Sequence, residues 1–460
     1  MSLVQLHRII ILGANAQGKG GSAANLFLPS SEIARRRILY LLFSAMLISV
    51  PLGHAVGSGG PRALSLSPPT WGAYHAAFPD FGGPEDNVTA DKITDFESLV
   101  QKKIVWAFFS NNWLEGIRFP EASVRVIHDQ GVIPFIRMMA RSSLERQLPD
   151  PVYTMQRIID GDFDQDLHAW AQRAKQVGIP LIVEFGTEVN GNWFPWNGQY
   201  NGGGNTKGYG DPTLPDGPER FRDAYRHIIN ICRAEGATDI TWVFHVNYDS
   251  VPMEPWNTMA AYYPGDDYID WIGISTYGAQ RPGEEWHLFS EIMDTAYPEL
   301  AAISNEKPLA VLEYGVVDDA RTGSKASWIH DALQSVRNGR YPRIKAMSYW
   351  HENWENDDGT ISNLRLDSSP EALAAYREEV AHPFFFGELT PATTIHTSTA
   401  SSSYVPATQE IAATSRSTAE ALTIQPATDS FLALGIIVAM AAVGVIVILF
   451  WNRRRSGYGH

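Results

Sequence analysis

Ile182-Val-Glu-Phe-Gly-Thr-Glu-Val-Asn-Gly-Asn-Trp-Phe-Pro-Trp196 decides how this chain is read. An apolar run with the length of a buried strand stops at a glycine, and a carboxylate, Glu188, follows at its tip. Amides, turn-formers and three aromatics come immediately after it. A strand tip is a rigid mount. A carboxylate held there, amid aromatics and hydrogen-bonding side chains, has a proton affinity that its surroundings can tune. Trp193, Phe194 and Trp196 add flat apolar faces, which either line a site or cap a core.

Similar apolar runs recur on both sides of this stretch, near residues 71–75, 104–109, 132–137, 181–185, 240–245, 268–275, 309–313 and 344–350. Helical periodicity separates most of them. The clearest case is Phe163, Leu167, Trp170, Ala171, Ala174 and Val177, one apolar stripe closed by Gly178 and Pro180. Eight strand candidates alternating with helices over roughly 320 residues predict a single α/β domain, a (β/α)8 TIM barrel. An open doubly wound sheet is the rival, but no dinucleotide fingerprint or phosphate loop follows the first strand. Polar and aromatic residues gather at the trailing ends of the runs: Asn111-Asn112-Trp113, Arg137, Glu188, His245 with Asn247, Tyr277, Glu313 and Trp350-His351-Glu352. In a barrel of this type the C-terminal rim is where catalytic groups collect.

The rest of the 460-residue chain divides by composition. Residues 1–60 read as leader and signal peptide, because Arg35-Arg36-Arg37 precedes a short apolar stretch and small residues. The globular zone spans 66–386. From 387 to 430 the chain is rich in Thr, Ser and Pro and lacks the apolar residues to offset its chain entropy, so a disordered stalk is expected. Residues 431–451 are apolar and uncharged over the length of one transmembrane helix, and the basic tail 452–460 predicts a cytoplasmic C-terminus. The expectation is a single-pass membrane protein with its globular domain outside the cell. A formal net charge of −15 without a basic stripe argues against a nucleic-acid partner. Cys232 is the single cysteine and lies on the apolar side of a helical pattern, which excludes an intrachain disulfide and points to a packed thiol. Asp318-Asp319 and Asp357-Asp358-Gly359 match no metal-loop spacing, so neither metal nor cofactor is expected. Oligomeric state is not legible.

Glu313 stands in Leu309-Ala-Val-Leu-Glu-Tyr-Gly315, a second apolar strand ending in a carboxylate. The two glutamates would then sit at the mouths of the fourth and seventh strands. Two carboxyl groups facing each other there suit cleavage of a glycosidic bond, one giving a proton to the departing oxygen and the other attacking the anomeric carbon. A gap of about 5–5.5 Å between them would retain anomeric configuration. The nearby aromatics offer faces on which sugar rings stack. Pairing of either acid with a rim arginine such as Arg137 is the structural alternative.

The run from Glu188 to Trp196 resembles the acid/base signature of glycoside hydrolase family 26, best known for β-mannanases. The segment 159–164, the sixth-strand region 262–277, Ser348-Tyr349-Trp350 and the closing residues from Ser368 resemble the same family, so the likeness spans nearly the whole globular zone. The resemblance implies a retaining (β/α)8 glycosidase with Glu188 as acid/base and Glu313 as nucleophile. It further implies that Tyr277 orients the nucleophile, Trp193 lines the cleavage subsite, Trp350 forms a stacking floor and Asn190 braces the loop carrying Trp193. Trp196, His245 and Asn247 complete the candidate sugar-binding set. Members usually carry histidine where this chain has Thr187, aspartate where it has Ser275, and tryptophan or histidine near Arg137. A β-linked glycan substrate is therefore expected without commitment to mannan; mixed-linkage glucan, β-1,3-xylan and a surface polysaccharide stay open. The Gly202-Gly203-Gly204 loop is expected to reshape the cleft. A non-catalytic carbohydrate-binding protein on the same barrel and an envelope transglycosylase are the alternative functions.

Overall fold

The computed structural model describes residues 65–389 except 320 and 357. The expected leader, most of the stalk, the membrane span, the basic tail and Asp357 lie outside these residues. Among the described residues no helix is long and apolar enough to cross a membrane.

Eight parallel strands follow one another in chain order and close into a barrel. They are β1 (Ala73–Phe78), β2 (Trp106–Asn112), β3 (Ile133–Met139), β4 (Leu181–Phe185), β5 (Ile240–Asn247), β6 (Trp271–Tyr277), β7 (Leu309–Gly315) and β8 (Ile344–Trp350). Closure comes from β1, which pairs with β8 from Tyr74↔Ala346 to Phe78↔Trp350. The helices are α1 (Ala90–Val100), α2 (Glu121–Asp129), α3 (Met155–Ile159), α4 (Asp164–Val177), α5 (Asp216–Glu235), α6 (Phe289–Ala302), α7 (Lys325–Arg337) and α8 (Pro370–Val380). Between β5 and β6 the connection holds only a 3-10 turn, Met259–Tyr262. A short hairpin, β9 (Asn353–Glu355) with β10 (Ile361–Asn363), follows β8, and β11 (Phe385–Phe386) pairs with the start of β1.

The strands are buried along almost their whole length, which is why they read as continuous apolar runs. Several continue past the apolar run: Asn111-Asn112, Met138-Met139, Val246-Asn247 and Thr276-Tyr277 still pair with a neighbouring strand or extend its ladder. Helix α4 buries Leu167, Trp170, Ala171 and Ala174 and stops at Gly178, whose φ of 63° is one that a side chain disfavours. Helix α5 buries Phe221, Tyr225, Ile228, Ile229 and Cys232 as a single face. Burial pushes the Cys232 thiol up to about 12, consistent with an unreactive packed sulfur.

One irregularity positions the site. Strand β7 pairs Ala310 with Gly273 and Val311 with Ile274, then skips Leu312 and pairs Glu313 with Ser275. The extra residue is a β-bulge, and a Cβ on Gly273 would collide with the Leu312 side chain. Glu313 thereby shares the register of Ser275, whose hydroxyl hydrogen-bonds to His245.

Candidate active site

The loop after β4 brings Glu188 back over the barrel. Gly186 has φ 68°, and a Cβ there would lie 2.6 Å from the Phe221 ring. Glu188 itself has φ 49°, a left-handed conformation that costs a non-glycine residue roughly 1 kcal/mol. Asn190 holds this turn: its Nδ2 donates to the carbonyl of Asn247 at 2.9 Å, and its Oδ1 accepts from the Asn247 N–H at 2.7 Å. The indole Nε1 of Trp193 then donates to Glu188 Oε2 at 2.7 Å.

Glu313 is held from two other strands. The Tyr277 hydroxyl donates to its Oε2 at 2.8 Å, and Arg137 Nη2 lies 3.2 Å from its Oε1, which among the described residues accepts no hydrogen bond. Glu188 and Glu313 are 8% and 4% exposed and line one cleft of about 470 Å³ with Arg137, Trp193, Asn247 and Tyr277. Burial pushes the Glu313 carboxyl up to about 7, opposed by the Arg137 charge and assisted by that of Glu188.

A charged network lies beneath the pair. Arg137 contacts Glu184 at 3.2 Å, Glu85 at 2.6 Å and the Thr187 hydroxyl at 3.3 Å. His245 Nδ1 lies 2.8 Å from Glu184 and 2.9 Å from Thr187, and its Nε2 lies 2.8 Å from the Ser275 hydroxyl. Burial opposes charge on Arg137 and His245, but the surrounding carboxylates raise both above their ordinary values. The pairing of Arg137 with Glu313 is thus real, yet it does not consume the site, because that arginine serves several carboxylates at once. Arg137, Thr187 and Ser275, the three positions where the resemblance noted in the sequence is broken, meet in this one network.

Other expectations are relocated. Trp196 is fully buried, stacks on Phe194 with centroids 4.6 Å apart and donates to the Thr187 carbonyl, so it stays off the cleft. His245 lies below the acids and Asn190 braces the loop; neither reaches the cleft. Trp350 reaches it but is 5% exposed, stacked on Phe78 at 4.1 Å with the Arg137 guanidinium 5.1 Å from its ring, which leaves little stacking floor. Trp113 packs in the core against Tyr153. The Gly202–Gly204 loop lies away from the cleft, where Gly204 leaves room for the Trp256 ring. Glu352, at the end of the eighth run, lines the cleft as its place at the rim suggests, whereas Glu85, Glu184 and Trp354 carry no mark in the sequence pattern of strand ends. A charged residue inside an apolar strand, as Glu184 is, was the available signal, since a buried charge demands partners. Asp319 is occupied by Arg321 at 2.7 Å, and no metal-holding cluster occurs among the described residues.

Residues 141–329 match the sequence profile of Glycosyl hydrolase family 26. Over those residues the barrel resembles that family. The chain is 36% identical over 231 residues to Endoglucanase H of Acetivibrio thermocellus, covering 50% of this chain and 23% of that protein. Against a mannan endo-1,4-beta-mannosidase of Bifidobacterium adolescentis it is 23% identical over 252 residues, covering 48% of this chain and 23% of the other. The chain therefore spans about a quarter of the length of these two relatives. The GH26C structure from Muricauda sp. superposes with a TM-score of 0.50 at 13% identity, over 70% of this chain and 90% of that one, a likeness of fold.

Proposed function

We propose that this chain is a family 26 glycoside hydrolase that cleaves a β-linked glycan by double displacement, with Glu188 as acid/base and Glu313 as nucleophile. The observation that carries the reading is two glutamates, one from the loop after β4 and one from β7, lining one cleft, each held by its own hydrogen-bond donor. In the first step Glu313 attacks the anomeric carbon while Glu188 gives its proton to the departing oxygen, leaving a glycosyl ester on Glu313. In the second, Glu188 takes a proton from water, the water oxygen bonds to the same carbon, and Glu313 departs as carboxylate. The Glu188 charge is among the causes that raise Glu313, so the two carboxyl groups are electrostatically linked within the cleft. The identity to Endoglucanase H favours a β-glucan over a mannan. The apolar stretch 431–451 and Arg453-Arg454-Arg455 support attachment to a membrane with the barrel outside the cell, which protease shaving of intact cells would test. For catalysis the test is a panel of β-glucan, β-mannan and β-1,3-xylan assayed for new reducing ends. Glu188→Gln and Glu313→Ala should each lose at least about 10³-fold in kcat. Undiminished hydrolysis by both variants overturns the assignment.

A further inference from the structure

The cleft contains a second pair of carboxyl groups that the two-step mechanism does not use. Glu85 occupies the β1–α1 loop with a left-handed backbone, φ 66°. The Ser110 N–H donates to the Glu85 carbonyl at 2.8 Å, and the Ser110 hydroxyl and Arg137 Nη1 both donate to Glu85 Oε2 at 2.6 Å. Glu352 lies two residues beyond β8. Its Oε2 accepts from Trp350 Nε1 at 3.0 Å, and its carbonyl accepts from the Leu364 N–H at 2.9 Å. Each carboxyl group therefore commits one oxygen to the protein, and among the described residues neither Oε1 takes a hydrogen bond. Both residues line the cleft, beside Gly83 and Trp354.

Their wall is opposite in function to that of Glu188. An acid that protonates the departing oxygen stands beside the leaving half of the substrate, so the β4–β5 wall serves that half. The half that stays bonded to Glu313 then extends toward β1 and β8. We propose that Glu85 and Glu352 form a glycone subsite that hydrogen-bonds the hydroxyl groups of the sugar one ring beyond the cleavage-point sugar, and that it selects neutral sugars. This rests on the assignment of Glu188 and Glu313 above. Two rigid oxygens with free lone pairs match vicinal hydroxyl groups, and a uronate on that ring would meet the Glu85 charge. Burial, together with the charges of Glu85 and Asp80, pushes the Glu352 carboxyl up to about 8. At neutral pH it thus holds a proton to donate to a sugar oxygen, while Glu85 accepts.

The test uses aryl β-glycosides of one and two sugar units, in the gluco and manno series, with the full chain. Glu352→Ala should raise KM for the two-unit substrates about tenfold and leave the one-unit substrates within twofold. Equal changes in both classes, or none in either, overturn the subsite while leaving the catalytic reading intact. Glu352→Gln keeps side-chain volume and the bond to Trp350, so if the alanine variant does not fold the same comparison is made with it, a threefold or larger rise confined to the two-unit substrates being expected. A two-unit substrate whose outer ring is a uronate should bind wild type at least tenfold more weakly than its neutral counterpart; equal affinity overturns the selectivity. If wild type cleaves nothing, the catalytic reading fails. Calorimetric titration with neutral trisaccharides then decides the subsite: weaker binding by Glu352→Ala supports it, and equal or absent binding overturns it.

Discussion

Burying an acid that must ionise sets a conflict at a single residue. The raised value of Glu313 means that the folded chain keeps this proton between the ordinary 4.5 and about 7, where the unfolded chain has lost it. Folding stability from this group is therefore greatest below 4.5 and falls as pH climbs to 7. Glu313→Gln should accordingly melt higher than wild type at pH 8, by an amount on the order of 1–3 kcal/mol, and the gain should shrink toward zero at pH 5. Calorimetric scans at the two pH values check this; a pH-independent difference contradicts it. The same titration places the acid limb of kcat/KM above the ordinary carboxylate range, with activity falling as pH drops through it, which a pH–rate profile measures. Gly191 presents a purely steric case, since a Cβ there would collide with the Trp193 indole that donates to Glu188. Gly191→Ala should lower kcat/KM by about tenfold or more with little change in melting temperature, as kinetics and circular dichroism would show.

At the scale of elements, two strands and a loop converge on one cation. Arg137 on β3 meets Glu184 on β4 and Glu313 on β7, and it also reaches Glu85 in the β1–α1 loop. Removing one partner of a buried ion pair strands the others, at a cost of roughly 3–5 kcal/mol. Arg137→Met should therefore melt well below wild type, and Arg137→Lys, which keeps the charge but loses the planar fork, should recover part of that loss. Thermal melts of both variants provide the check; an unchanged melting temperature in Arg137→Met would mean the network carries no stability. The bulge at Leu312 acts in the same region by setting which face of β7 carries Glu313.

Over the whole molecule, the barrel was legible because strands buried on both faces betray themselves as apolar runs. All eight runs became strands, and the two glutamates emerged at the mouths where the runs stop. Strand ends were less legible, because Asn112, Asn247 and Tyr277 continue β2, β5 and β6 despite being polar. Solvent contact was not legible either. Trp196 and His245 have the composition of ligands, but which side of a tip faces the cleft depends on turn geometry that pattern does not encode. The seam is a further whole-molecule property. Strands β1 and β2 register at one residue pair, Ala77↔Ala107, whereas β1 and β8 share five. Strand β11 and the Phe384 carbonyl support the start of β1, with Trp71 packed on Phe386. Ending the chain at residue 383 should lower the melting temperature by several degrees and speed amide exchange along β1 before β6, which mass spectrometry of exchanged peptides resolves.

The hydrogen-bonded chain from Arg137 through Thr187 and His245 to Ser275 limits how these positions can be substituted. Sealed groups that satisfy one another cannot be exchanged singly without orphaning a neighbour. A bulkier residue at 187, histidine included, should therefore be accepted only when the other positions change alongside it.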